Sequence, residues 1–138
     1  MQIQPYLFFD GRCDEAAAFY QKQLGAEVTS LMRFKDHPQA GGQNSMIPPG
    51  SEDKVMHMTF RIGDTTVMAS DGRCQGHPSF QGFSLSLPVA SAAEAERLFA
   101  ALGEGGQVQM PISETFFSKR FGMVADRFGV SWMIMVAP

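Results

Sequence analysis

Tryptophan occurs once in the 138 residues, cysteine and tyrosine twice each, and histidine three times. Two cysteines, Cys13 and Cys74, are too few for a disulfide framework and lack the spacing of a metal site. A pair of reduced thiols fits a cytoplasmic protein. Basic residues are not in excess: 11 Lys and Arg stand against 14 Asp and Glu, a net charge of −3. No basic field is therefore available to draw nucleic acid or an anionic membrane. No apolar run approaches the length that spans a bilayer. Met1-Gln2-Ile3-Gln4-Pro5 lacks the basic start and apolar segment of a secretory signal. These readings leave neither nucleic acid nor membrane as a partner.

What is present is a chain able to bury a core. Its apolar fraction of 44% and charged fraction of 18% are those of a globular protein, and a chain of this length needs no disulfide to hold one domain together. Ten methionines are many. Their flexible thioethers fill irregular gaps, in a core or along a pocket wall.

The chain repeats itself. Leu24-Gly25 and Leu102-Gly103 stand 78 residues apart, and the same displacement lays Tyr6-Leu7-Phe8-Phe9 on Ser84-Leu85-Ser86-Leu87. Ala17, Tyr20 and Leu24 fall on Ala95, Leu98 and Leu102. Each half reads as a strand, an amphipathic helix, a Leu-Gly stop and further strands. Ser91 and Glu94 form a capping box ahead of the second helix, and Gly25 and Gly103 suit the left-handed residue that ends a helix. Val55 to Ile62 and Thr65 to Ser70 are joined by the turn pair Gly63-Asp64. Phe116 to Ala125 and Ser131 to Val136 are joined by Asp126-Arg127-Phe128-Gly129. With Glu27 to Phe34 and Gln107 to Ile112 added, the pattern is βαβββ twice. The predicted class is α+β: two modules, about 1–71 and 80–138 with a linker at 72–79, in a single domain over 1–138 whose curled mixed sheet surrounds a cavity. Residues 35–54, rich in proline and glycine, fall outside the repeat and form either a pocket lid or a surface excursion.

Strand parity sorts side chains by face. Met56, Met58, Phe60 and Ile62 are expected under the helices, which turns His57, Thr59 and Arg61 to the cavity or solvent. Tyr6 and Phe8 point inward in the first module, with Leu7 and Phe9 on the helix side; Ser84 and Ser86 correspond to them in the second. Trp132, Ile134 and Val136 share one face of the last strand. Glu114 and Thr115, beside two phenylalanines, form a loop able to hold a ligand or metal. Asp71 ends a strand, Asp126 fixes its turn, and His37 and His77 precede prolines in loops.

Tyr6-Leu7-Phe8-Phe9-Asp10-Gly11-Arg12-Cys13-Asp14-Glu15-Ala16, then Phe19-Tyr20 and Leu24-Gly25, resembles the opening of PhnB-like proteins. These are a branch of the glyoxalase, bleomycin-resistance and extradiol-dioxygenase superfamily, also called the vicinal oxygen chelate superfamily. His57, Met68-Ala69-Ser70-Asp71, Glu114-Thr115-Phe116-Phe117 and Asp126-Arg127-Phe128-Gly129-Val130-Ser131-Trp132 extend the resemblance in order along nearly the whole chain. It implies a glyoxalase-like fold, a homodimer, and a small-molecule ligand in the sheet cavity. In several relatives a divalent metal sits there on histidines and carboxylates. The nearby positions here offer Tyr6 or Phe8, Met68 or Ser70, Ser84 or Ser86, and Trp132 or Ile134, none of them such a ligand. The remaining metal candidates are His57, Glu114 and Asp71.

Two functions follow from the resemblance. One is an enzyme acting on a small oxygen-rich metabolite, a metal-dependent lyase, isomerase or dioxygenase, with His57 and Glu114 catalytic and Tyr6, Phe8, Thr59, Arg61, Ser84, Ser86, Thr115 and Trp132 binding substrate. The other is a non-catalytic sequestering protein of the bleomycin-resistance kind. A methyltransferase label carried by some relatives finds no glycine-rich strand–loop–helix fingerprint here, since Gly103-Glu104-Gly105-Gly106 follows a helix rather than opening one.

Overall fold

Strand β1 (Tyr6–Phe8) leads into helix α1 (Cys13–Leu24), then β2 (Glu27–Arg33), a 3-10 turn at Phe34–Asp36, β3 (Val55–Ile62) and β4 (Thr65–Ser70). The second half repeats the order with β5 (Leu85–Val89), α2 (Ala92–Gly103), β6 (Gln107–Ser113), β7 (Phe121–Ala125) and β8 (Ser131–Val136). The structure, a computed structural model, describes residues 1–36 and 49–137. Most of the predicted 35–54 loop, with His37, lies outside the described residues. The chain divides into two units, Met1–Pro78 and Ser79–Pro138, each carrying one βαβββ module.

The α+β class and the paired modules are as the repeat predicts. Each module builds its own open four-stranded sheet, ordered β1-β4-β3-β2 in the first and β5-β8-β7-β6 in the second. In both, the first strand lies parallel to the last and the remaining pairs are antiparallel. A parallel pair needs a long crossover, and the helix followed by two strands provides it.

In the first unit the apolar residues of α1 recur at helical spacing and close over one face of the sheet. Ala16, Phe19 and Tyr20 are buried with Leu7, Phe9, Met58, Phe60, Val67 and Ala69. The Tyr20 ring stacks on Phe60 at 6.0 Å and meets Phe9 at 6.1 Å and Phe19 at 5.7 Å. Aromatic pairs at these separations add to the burial of their area. Gly25 takes φ 67°, and its N–H returns to the Tyr20 carbonyl, which ends α1 as expected.

The start of α1 is held differently from most helices. Its N-cap residue, Arg12, makes no side-chain cap bond. The cap comes from the end of β4, where Asp71 accepts from the amides of Gly11 (3.0 Å) and Cys13 (2.7 Å) on one oxygen and Val55 (2.7 Å) on the other. A carboxylate here satisfies orphan amides and meets the positive end of the helix. The stretch predicted as a linker is likewise tied down: Gln75 and His77 donate their amides to the Asp10 carboxylate. His77 itself is exposed.

In the second unit Ala95, Leu98 and Leu102 of α2 are buried, as are Val124, Trp132, Ile134 and Val136 of the sheet. Ser91 caps the helix by accepting from the Glu94 amide at 3.2 Å. The stop differs from expectation by two residues. Gly103 is still helical, with Val124 packed where a side chain would begin, and Gly105 takes the left-handed conformation at φ 79°. Strand β7 is also shorter than predicted. Residues 115–118 form a turn closed by the Thr115 amide on the Ser118 carbonyl at 2.9 Å, so Phe116 and Phe117 precede the strand.

Cys13 is fully buried at the first position of α1, and burial, then the charges of Asp71 and Asp14, push its thiol well above the ordinary range. The folded protein thus holds the thiol protonated while the unfolded chain releases its proton above about pH 8.5. The unfolded state then binds fewer protons, so stability falls as pH rises past that value, by up to about 1.4 kcal/mol per pH unit for this group. Urea unfolding at about pH 8 and about pH 10 should show a steeper alkaline loss for the wild type than for Cys13→Ala, by about 1–2 kcal/mol over the interval.

Candidate functional site

The face of the first sheet turned away from α1 carries the residues that parity assigns to it. Leu7 and Phe9 are buried beneath the helix, which leaves Tyr6 and Phe8 on the open face at 37% and 57% exposure. Their rings lie 4.9 Å apart. Register places Tyr6 beside Met68 and Met68 beside Thr59, so these three share that face, and His57 stands opposite Met32.

His57 is the centre of a hydrogen-bonded chain on this face. Its Nδ1 lies 3.1 Å from the Tyr6 hydroxyl and its Nε2 lies 3.2 Å from Thr59 Oγ1. The Tyr6 ring packs against the imidazole at 5.6 Å. With a hydroxyl at each nitrogen, the neutral ring holds either tautomer as the hydroxyls turn to match, and the charged ring donates to both. Arg61 lies farther along β3 and pairs with Glu27 at 2.9 Å, both side chains about half exposed or more. Such a pair is weak and can exchange partners at little cost.

The open face of the second sheet has a comparable chain. The Ser84 and Ser131 hydroxyls are 2.6 Å apart, and Ser131 donates to Gln109 Oε1 at 2.7 Å. Beside it, Ser86, Met133, Met123 and Met110 stand in register across all four strands. Ser84 and Ser86 are thus where the repeat puts them. Ser131 and Gln109 were not among the expected site residues. Register, rather than composition, is what reveals them.

Trp132 does not join this face. It is 3% exposed, pairs in register with Leu85 and Val124 on the helix-covered side, and donates its indole N–H to Asp126 Oδ2 at 2.9 Å. This residue, expected to bind substrate, is placed in the core, because residues directly opposite in a sheet share a face.

Glu114 and Thr115 lie instead in the loop after β6, lining a cleft of about 390 Å³ in the second unit with Phe116, Phe117, Lys119 and Ala137. Thr115 Oγ1 is engaged within its own turn by the Ser118 amide at 3.2 Å.

The donors present do not fit the divalent metal that the resemblance implies. Asp71, one of the metal candidates, is fully buried with both oxygens committed to backbone amides. Both His57 nitrogens face hydroxyls, and the open-face residues Tyr6, Phe8, Met68, Ser84 and Ser86 supply neither imidazole nor carboxylate. Among the described residues no three His, Cys, Asp or Glu side chains are grouped around a common point. A stable site needs several such ligands converging.

Two βαβββ modules of this topology define the glyoxalase-like fold. A glyoxalase-related enzyme from Fulvimarina pelagi shares that fold at TM-score 0.61 and 18% identity, over 100% of this chain and 89% of that one. The chain belongs to the PhnB-like branch described as the 3-demethylubiquinone-9 3-methyltransferase family, which matches residues 1–135. It is 43% identical to protein PA1353 of Pseudomonas aeruginosa, with TM-score 0.84 over 99% of this chain and 98% of that one. It is 36% identical to protein YjdN of Escherichia coli K12, over 99% of this chain and 95% of that protein. The PhnB protein of Bacillus cereus follows at 29% identity and TM-score 0.80, over 99% and 100% of the two chains.

Proposed function

We propose that this PhnB-like protein binds a small oxygen-rich metabolite on the open face of its first sheet, as a homodimer in the cytoplasm. The observation that carries the reading is the Tyr6–His57–Thr59 chain, three polar side chains from two strands bonded through both nitrogens of one imidazole. A ligand with adjacent oxygens suits it, because each hydroxyl can donate or accept. Phe8 and the Tyr6 ring cover the apolar part of the ligand, and Arg61 leaves Glu27 for an anionic group. Ser84 and Ser86 offer hydroxyls of the same kind in the second unit. His57 is the group able to move a proton on what is bound. The homodimer and the cytoplasm rest on the resemblance and on the two unpaired thiols.

A second reading, sequestration without turnover, is favoured by the exposed Tyr6–Phe8 pair, which supplies contact area and no reactive group. Product analysis by NMR separates the two.

The test is thermal stabilisation by 2-oxoacids, 2-hydroxyacids and vicinal diols, with chelator in excess. A member of the bound class at about 100 times its dissociation constant should stabilise the wild type by roughly 2.7 kcal/mol. Tyr6→Phe should weaken that binding about tenfold and His57→Ala by more. The reading fails if no member stabilises the protein, or if the His57→Ala protein responds as the wild type does.

A further inference from the structure

The cleft of the second unit carries groups that the sheet-face reading does not use. Its walls combine a carboxylate, Glu114, with an ammonium, Lys119, and two phenylalanines, around a volume of about 390 Å³. That volume suits a small molecule rather than a macromolecule. Glu114 and Lys119 are both exposed, and neither has an ion-pair partner among the described residues. Both line the same cleft, and no ion pair joins them.

The turn between them is braced. Ser118 is buried, and its hydroxyl lies within bonding distance of the Arg120 carbonyl (2.8 Å) and the Val136 carbonyl (3.0 Å) and accepts from the Val136 amide (3.1 Å). Thr115 and Ser118 close the turn at its base. The braced turn presents Phe116 fully exposed and Phe117 at 44% exposure, with their rings edge to face at 5.0 Å. Phe117 in turn meets Phe121 of the sheet at 5.0 Å. An aromatic pair sharing one cleft with two opposite charges that no ion pair among the described residues neutralises is complementary to a molecule that is charged at both ends of one centre and apolar beside it. The backbone of the turn is set before a ligand arrives, and preorganisation of this kind favours affinity.

We propose that this cleft is a binding site for a zwitterionic α-amino acid with a large apolar side chain. Glu114 takes its ammonium, Lys119 takes its carboxylate, and the side chain lies on Phe116 and Phe117. The proposal rests on residues of the second unit alone and stands whether or not the face of the first sheet binds a metabolite.

The experiment titrates three probes of one skeleton into the full chain, followed by amide chemical shifts: L-phenylalanine, phenethylamine without the carboxylate, and 3-phenylpropionate without the ammonium. L-Phenylalanine should bind saturably in the millimolar range, shifting the amides of residues 114–119 and Ala137. Each singly charged analogue should bind about tenfold more weakly. Glu114→Gln should bring L-phenylalanine down to the affinity of 3-phenylpropionate, and Lys119→Gln to that of phenethylamine. Both substitutions are on the surface, and the dispersed amide spectrum reports that each variant is folded. Absence of saturable shifts at 114–119, equal binding of the three probes, or a preference unchanged in both variants would each overturn the proposal.

Discussion

Asp71→Ala is expected to lower stability by about 4 kcal/mol, a fall of roughly 12–20 °C in melting temperature. The side chain is fully buried, and its two oxygens accept from Gly11, Cys13 and Val55 at 2.7–3.0 Å. Alanine leaves three amides without that acceptor, those of Cys13 and Val55 in buried bonds, and each orphaned buried donor costs about 1–3 kcal/mol. The loss joins three elements at once: the turn after β1, the first residue of α1 and the start of β3. A small domain has a total stability of about 5–15 kcal/mol, so this one substitution removes a large part of it.

Asp71→Asn separates the hydrogen bonds from simple filling of space. The amide is nearly isosteric and keeps one acceptor oxygen, but its NH₂ opposes an N–H on the other side. About half of the alanine loss is expected to remain. Urea unfolding of the wild type and the two variants measures both steps. Equal stability of Asn and the wild type would show that the second oxygen contributes nothing.

Asp71 illustrates what the chain reveals unaided. Its position at a strand end is legible, and so are the β4 and β3 strands around it, because alternation in Met56 to Ile62 and the Gly63-Asp64 turn leave few alternatives. The helix starts are legible in unequal degree. Ser91 caps α2 locally, as its spacing from Glu94 says, whereas the cap of α1 arrives from 58 residues away and has no local signature. Parity placed Tyr6, Phe8, His57 and Thr59 on one face correctly because each alternates with a strongly apolar neighbour. It could not choose a face for Trp132, since Ser131 to Val136 is apolar on both sides; only the register with Leu85 and Val124 decides. Glu114 and Thr115 were legible as a ligand-binding loop, but the cleft they share with Lys119 was not. Phe116 and Phe117 read as the start of a strand, and the turn that lifts them out depends on Ser118 bonding to Val136 on a different strand.

Asp126→Ala is expected to destabilise the second unit by about 3 kcal/mol and to change the emission of the only tryptophan. One oxygen of Asp126 accepts from the amides of Phe128 (2.9 Å) and Val130 (3.1 Å), which is the turn-fixing role its sequence context indicates. The other accepts from Trp132 Nε1 at 2.9 Å, a bond no local pattern announces. The two roles give different readouts. Loss of the turn bonds alone would lower the unfolding midpoint and leave the native emission where it was. Loss of the indole partner leaves a buried N–H that must find water or remain unpaired, and water entering the space of the missing carboxylate shifts the emission to the red. Asp126→Asn, which can still accept through one oxygen, should keep either the turn or the indole bond but not both, and so fall between. A native emission spectrum identical in the wild type and both variants would remove Trp132 from the account and leave Asp126 as a turn residue alone.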